Sequence, residues 1–160
     1  MSDSKIFWNG DVYVLDFDDS ERDILGTLPH QIRGLLAEND PDTYRLFPPA
    51  YMNDIVKQEE YRAYMAEELM QHHLADLDML EQTSKRESLD ENELMSWMRA
   101  LNQVRLVLGT RLDIDEETDV ADISNDHPEV ELYQLYFYLG WLLENCIDAL
   151  EHTVENNTDE

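Results

Sequence analysis

Apolar residues recur every three or four positions between residues 94 and 114, which is the spacing of one face of an α-helix. From Val104 onward they also spread round the cylinder, as is typical of a helix buried on most sides. The S-L-D-E run at residues 88–91 offers a serine or aspartate cap with an acid in the first turn. We therefore predict a central, largely buried helix. Its main face carries Leu94, Trp97, Met98, Leu101, Val104, Leu108 and Leu112.

Three other segments, residues 20–38, 57–83 and 129–155, show the same helical periodicity. The first is capped by Asp18, Asp19 or Ser20, and Pro29 either kinks it or ends a short first turn. Residues 39–54, which contain three prolines, and the acidic residues 113–126 are predicted to be loops.

Residues 5–17 predict a β-hairpin, because two strand-like runs flank Asn9-Gly10, a preferred two-residue turn. Pairing across this turn places Ile6, Trp8, Tyr13, Leu15 and Phe17 on one face, which must pack on the helices. The expected fold is mostly α, an irregular four-helix bundle with a small N-terminal β-hairpin. We expect one domain over residues 1–160, divided into hairpin 5–17, helical bundle 18–155 and a frayed acidic tail 156–160.

The chain carries 37 acidic residues against 11 lysines and arginines, a formal net charge of −26. Such a surface repels phosphate backbones and anionic lipids, so we expect neither direct nucleic-acid binding nor membrane binding. Basic partners, and mimicry of a nucleic acid by an acidic face, stay open. With Cys146 as the single cysteine, no apolar leader and no membrane-length apolar run, the sequence indicates a cytoplasmic protein.

Two sequence patterns suggest catalysis or metal binding, and both are better explained structurally. The D-x-D pattern beginning at Asp16 resembles the nucleophile motif of haloacid-dehalogenase-type phosphatases, but the parallel strands which that chemistry needs are not predicted. We therefore read it as solvated acids that cap the next helix.

Glu68, His72 and Asp76 share a helix face, yet a paired Glu-x-x-His motif is missing, so we place His73 towards the core and His72 on the surface. The acidic loop fails the calcium-loop pattern at Thr118 and Ser124. Cys146 falls on the predicted buried face of the last helix, where a thiol is unreactive. We assign no catalytic, cofactor-binding or metal-binding residue and expect no enzyme activity.

Arg105 lies within the apolar face of the central helix, and Asn102 is beside it. The simpler interpretation is that the methylene chain of Arg105 covers the core while its guanidinium reaches water or pairs with a carboxylate. The alternative is an anion or partner site. We expect Arg105 or Arg111 to pair with a nearby acid.

The last helix has a second face, away from its core side, that carries Tyr133, Phe137 and Trp141 with Gly140 and Glu144. Either the hairpin or the proline-rich loop packs there, or the face binds a protein partner or a second copy of the chain. Aromatic side chains rimmed by acids are typical of such anchors.

The segments MRALNQVRLVLGTRLDI at 98–114 and LFPPAYMND at 46–54, with the aromatic last helix, resemble an actinobacterial family of aerobic and oxidative stress response regulators. That family was formerly a domain of unknown function. The resemblance implies a non-enzymatic regulator that contacts the transcription machinery, a sigma factor or RNA polymerase. Because Cys146 is alone, a thiol-pair switch within one chain is impossible. The alternatives are an acidic homo-oligomeric interaction protein, a homodimer for example, and more remotely a metal-dependent phosphatase-like enzyme.

Overall fold

Four α-helices and a small antiparallel sheet make up most of the computed structural model, which describes residues 4–47, 59–115, 117–118 and 123–158. Side chains at 59–62 and 154–158 lie outside this description. The elements are β1 (Ile6–Trp8), β2 (Tyr13–Leu15), α1 (Asp19–Ala37), a 3₁₀ helix (Pro41–Leu46), α2 (Glu59–Thr83), β3 (Ser88–Leu89), α3 (Glu91–Arg111) and α4 (Val130–Thr158). The predicted mostly α fold with an N-terminal hairpin is confirmed.

The hairpin has the predicted buried face but a different turn. Ile6 pairs with Leu15 and Trp8 with Tyr13, so the two strands are joined by four residues, not two. The side chain of Asn9 accepts hydrogen bonds from the amides of Asp11 and Val12, which stabilises this wider loop. The register differs from the predicted one by two residues, and a shift of two keeps every side chain on the same face.

A third strand was not predicted. β3 pairs antiparallel with β2 and is separated from α3 by a single residue, Asp90. Asp90, one of the two predicted caps, accepts a hydrogen bond from the amide of Glu93, and the Glu93 side chain accepts one from the Asp90 amide. The sheet is thus joined directly to the start of α3.

α1 is continuous through Pro29, which rules out the second of the two alternatives, a break before that residue. Asp18 is its cap and forms a reciprocal capping box with Glu21. Arg22, one turn into the helix, donates hydrogen bonds to the carbonyls of Leu15 and Phe17 in the hairpin and to those of Ser84 and Arg86 beside β3. This side chain ties α1 to the sheet.

α3 is the centre of the molecule, because α2, the 3₁₀ helix and α4 all pack on it. Trp97 is fully buried, and its indole N–H donates to Thr83 at the end of α2. Gly109 permits the close packing of α3 on α4, because a Cβ there would lie 3.3 Å from the ring of Tyr136.

The predicted loops and the last helix differ from expectation mainly at their ends. The 3₁₀ helix occupies part of the predicted 39–54 loop and buries Leu46, whereas Pro48, Pro49 and Tyr51 lie outside the described residues. α4 continues to Thr158, beyond its predicted end at residue 155 and into the segment predicted to be frayed.

Candidate functional site

A surface groove of about 640 Å³ runs between α3 and α4. It brings together residues that the sequence offered as two separate candidates: Asn102 and Arg105 from α3, and Phe137, Trp141 and Glu144 from α4. The close packing of the two helices places these side chains on facing walls. We take this groove as the candidate functional site.

Arg105 is half-buried and has neither an acidic partner nor a hydrogen bond among the described residues. Its guanidinium lies over the ring of Tyr136, with Cζ 4.8 Å from the ring centroid, a cation–π distance. A Cβ on Gly140 would lie 3.1 Å from Nε, so the glycine provides the space in which the guanidinium rests against α4. Of the two arginines expected to pair with a nearby acid, Arg105 is therefore not the one that does so among the described residues.

The α4 wall of the groove presents apolar surface to water. Trp141 is 36% exposed and Ile147 43% exposed, and both line the groove. Exposed apolar side chains in a concave site are the usual anchors for a binding partner.

Tyr133 and Arg111 belong elsewhere. The Tyr133 hydroxyl donates to the carbonyl of Leu112 at 3.3 Å, and its ring meets that of His127 edge to face, so it closes the end of α3. Arg111 forms the predicted ion pair, with its Nε 2.9 Å from Asp42. Each side chain supports a loop connection outside the groove lining.

Sequence reasoning missed Met98, Arg99 and Ile147, which also line the groove. Met98, Asn102 and Arg105 are spaced by four and three residues, so the helical period alone could have placed Met98 with the other two. Arg99 could not be assigned to the groove from sequence, because its position depends on an ion pair that forms only in the fold. Its Nε lies 3.0 Å from buried Asp76 of α2.

A second cleft of about 760 Å³ lies between the 3₁₀ helix, α2 and α3, and it contains the histidines considered as metal ligands. His73 is half-buried and hydrogen bonds through Nε2 to the carbonyl of Leu46 at 2.8 Å, while His72 is exposed. Asp76 is engaged by Arg99, so the Glu68, His72, Asp76 face lacks a free carboxylate at its last position. Within the described ranges, no group of three histidine, cysteine, aspartate or glutamate side chains is arranged to hold a metal ion.

Asp16 and Asp18, the D-x-D acids, behave as strand-end and capping residues. Asp16 is exposed and its amide donates to the carbonyl of Lys5, while Asp18 caps α1. This arrangement agrees with the capping interpretation of the motif.

Cys146 is fully buried, and burial raises the pKa of its thiol to about 12. The thiolate, the nucleophilic form, is therefore scarce at neutral pH. This position was predicted from the apolar face of the last helix.

Glu21 links α1 to α4 and to Lys5, the residue before β1. It accepts a hydrogen bond from Tyr138 of α4 and pairs with Lys5 at 3.1 Å. Burial acts to raise the pKa of Glu21, but the hydrogen bonds from Tyr138 and the Asp18 amide, together with Lys5, outweigh it and lower that pKa. Burial and the same carboxylate raise the pKa of Tyr138.

In the described part of the chain, none of the helices combines the length and the apolar character needed to cross a bilayer. The protein is thus mostly α, with an open groove that carries apolar side chains and a guanidinium left unpaired by the described residues.

The chain belongs to a family described as a domain of unknown function, DUF2017, whose model matches residues 4–150. A 57-residue segment is 37% identical to ribosomal lysine N-methyltransferase 4 of Saccharomyces cerevisiae, covering 29% of this chain and 12% of that protein. The chain therefore spans about an eighth of the length of this relative. No solved structure shows a significant match.

Proposed function

We propose that this chain is a non-enzymatic regulatory protein that acts by protein–protein contact through the groove between α3 and α4. The partner is part of the transcription machinery, a sigma factor or RNA polymerase, and the setting is the cytoplasmic stress response of an actinobacterium. The observation that carries the proposal is the exposure of Trp141 and Ile147 beside an arginine that none of the described acids neutralises.

The net charge of the chain favours contact with a protein over direct recognition of DNA. A net charge of −26 opposes the approach of a phosphate backbone, whose binding depends on neutralisation by lysine and arginine. Tryptophan and arginine are the residue types that most often dominate the binding energy of protein interfaces. The resemblance to stress response regulators supplies the class of partner.

The non-enzymatic part of the proposal rests on how the candidate catalytic groups are used. Asp18 caps α1, Asp76 pairs with Arg99, and Cys146 is buried as the thiol. The methyltransferase activity named for the yeast relative concerns a protein of which this chain matches only 12%. Replacing Asp16 or Glu68 is therefore expected to leave partner binding unchanged.

The test is a binding titration of the labelled chain with purified actinobacterial RNA polymerase core, holoenzyme and isolated sigma factors. A groove variant, Trp141→Ala with Ile147→Ser, is compared with a matched variant, Phe7→Ala with Ile24→Ala, which removes two equally exposed apolar side chains elsewhere. We expect wild type and the matched variant to bind and the groove variant to lose at least roughly tenfold in affinity. Absence of binding to every component, or equal binding by the groove variant, would overturn the proposal.

A homodimer is the second candidate, favoured by the same exposed apolar side chains. Two copies would bring together two chains of charge −26, so self-association should depend strongly on salt. Light scattering at micromolar concentration separates the two functions. A dimer that the groove variant converts to a monomer would replace the heteromeric proposal.

A further inference from the structure

Arg105 is exceptional in a chain with so many carboxylates. The other arginines whose side chains are described bind acids or backbone carbonyls, apart from Arg45, which lies on the exposed ring of Tyr44 and donates to its hydroxyl. Arg105 makes no hydrogen bond or ion pair within the described residues, although it sits in the groove with Glu144. Neither of these two charges neutralises the other, so both are available to a partner.

The guanidinium of Arg105 rests between two residues of α4, Tyr136 and Gly140. Its Cζ lies 4.8 Å from the centroid of the Tyr136 ring, and Gly140, which has no Cβ, leaves room for the guanidinium against α4. Among its nitrogens only Nε is shut off from water, so the two Nη atoms keep access to the groove. The two Nη atoms of a guanidinium form a planar fork, which matches the two oxygens of a carboxylate.

The groove also limits what can carry that carboxylate. Met98, Phe137 and Trp141 surround the site with apolar surface, which suits the apolar face of a helix. A phosphorylated chain or a nucleic acid would bring several further negative charges towards Glu144 and the acidic exterior. One acid within an apolar segment adds the least repulsion.

We propose that Arg105 is the receptor for a single carboxylate of the partner, carried by an amphipathic helix whose apolar residues occupy the groove. Glu144 then faces a lysine, an arginine or another donor of that helix. This inference rests on the proposed function of the groove and names the chemistry of its occupant.

The first experiment uses a pair of probes that differ only in charge, 3-phenylpropionate and 3-phenylpropionamide. Each is titrated into ¹⁵N-labelled protein while the Arg105 Nε–H signal and the Gly140 amide are followed by NMR. We expect saturable, millimolar binding of the carboxylate at these two signals and roughly tenfold weaker binding of the amide, because the amide cannot form the charged pair. Equal binding of the two probes, or shifts confined to other residues, would overturn the inference.

Variants separate the guanidinium from the rest of the groove. Arg105→Met is expected to abolish the preference for the carboxylate, and Arg111→Met, which removes an arginine paired with Asp42 outside the groove lining, is expected to keep it. Gly140→Ala is a second variant that leaves Arg105 in the chain but displaces its guanidinium, since the new Cβ would lie 3.1 Å from Nε. An unchanged preference in folded Arg105→Met or Gly140→Ala protein contradicts the assignment.

The same variants distinguish failure of this inference from failure of the proposed function. In one outcome, RNA polymerase or a sigma factor binds wild type and Arg105→Met equally but fails to bind the groove variant. That result would support the regulatory function and contradict the role of Arg105 as a carboxylate receptor. If the carboxylate probe binds at Arg105 while every polymerase component fails to bind, the receptor stands and the partner class is wrong.

Discussion

At the scale of single residues, Arg22 shows how one side chain joins parts of the chain that are distant in sequence. Its guanidinium donates to four backbone carbonyls, two near the hairpin and two near β3. Hydrogen bonds from charged donors contribute more than neutral ones, and carbonyls left without donors inside the protein are costly.

We expect Arg22→Met to destabilise the fold by about 2–4 kcal/mol, because these carbonyls lose a shared charged donor. Arg33→Met is the matched control on the same helix, since Arg33 pairs with partly exposed Asp78 and Glu81 and should contribute less than about 1 kcal/mol. Urea unfolding measures both. Similar losses for the two variants would show that Arg22 does not tie α1 to the sheet.

A second prediction concerns the pH dependence of the Tyr138–Glu21 contact. The pKa of Glu21 is lower in the folded protein than its ordinary value of 4.5, so the contact stabilises the fold above that pH and weakens as pH falls through the folded pKa. Tyr138→Phe removes the hydroxyl donor. The difference in unfolding free energy between wild type and Tyr138→Phe is therefore expected to be greatest near neutral pH and to shrink below about pH 4. A difference that stays constant from pH 7 to pH 3 would contradict this linkage.

The candidate site was predictable from sequence only in part. Arg105 stood out because a charge interrupted an apolar face, and Phe137 and Trp141 because they share a helix face. Tyr133 was grouped with them by its spacing of four residues, but each such step turns about 40° round the helix, so two steps carry Tyr133 away from Trp141. The contact of Arg105 with Gly140 depends on the relative position of α3 and α4 along their axes. No local sequence pattern encodes that position.

At the scale of elements, the long helices could be predicted from sequence because each repeats its apolar period over several turns. β3 was not, since its two residues are too few for an alternating pattern and exist as a strand only through pairing with β2. The hairpin turn was mispredicted because Asn9-Gly10 is a strong signal for a two-residue turn, whereas here the Asn9 side chain organises a four-residue loop.

Two glycines inside α1 give a matched test of helix propensity against packing. A Cβ on Gly34 would meet nothing within 4 Å, while a Cβ on Gly26 would lie 2.9 Å from the Oγ of buried Ser84. We expect Gly34→Ala to stabilise the protein by about 0.5–1 kcal/mol, because alanine loses less backbone entropy. Gly26→Ala should destabilise it by about 1 kcal/mol or more through overpacking.

Thermal or urea unfolding of both glycine variants checks the comparison. The intrinsic gain in helix propensity is the same for the two substitutions, so any difference in sign comes from the contact between α1 and the end of α2. Stabilisation by both variants would mean that Ser84 moves aside freely and that the two helices are less closely packed than the distance indicates.

At the scale of the whole molecule, net charge constrains function without naming it. A charge of −26 on 160 residues must be tolerated by the folded state, which brings the carboxylates closer together than the unfolded chain does. The same field repels other acidic surfaces and attracts basic ones. The electrostatic field of the net charge does not by itself select one partner. That selection requires the local chemistry of the groove, which is its apolar side chains and Arg105.

This repulsion leads to a prediction about salt. Raising sodium chloride from 10 mM to 100 mM shortens the screening length from about 30 Å to about 10 Å, so we expect the unfolding temperature to rise. A gain of about 1 kcal/mol corresponds to about 2–4 °C in a domain of this size. Asp148→Lys with Glu151→Lys, both exposed on α4, should raise stability at low salt and flatten the dependence, whereas Lys85→Glu should steepen it. Equal slopes for the three proteins would show that specific ion pairs, and not the overall charge, set the response to salt.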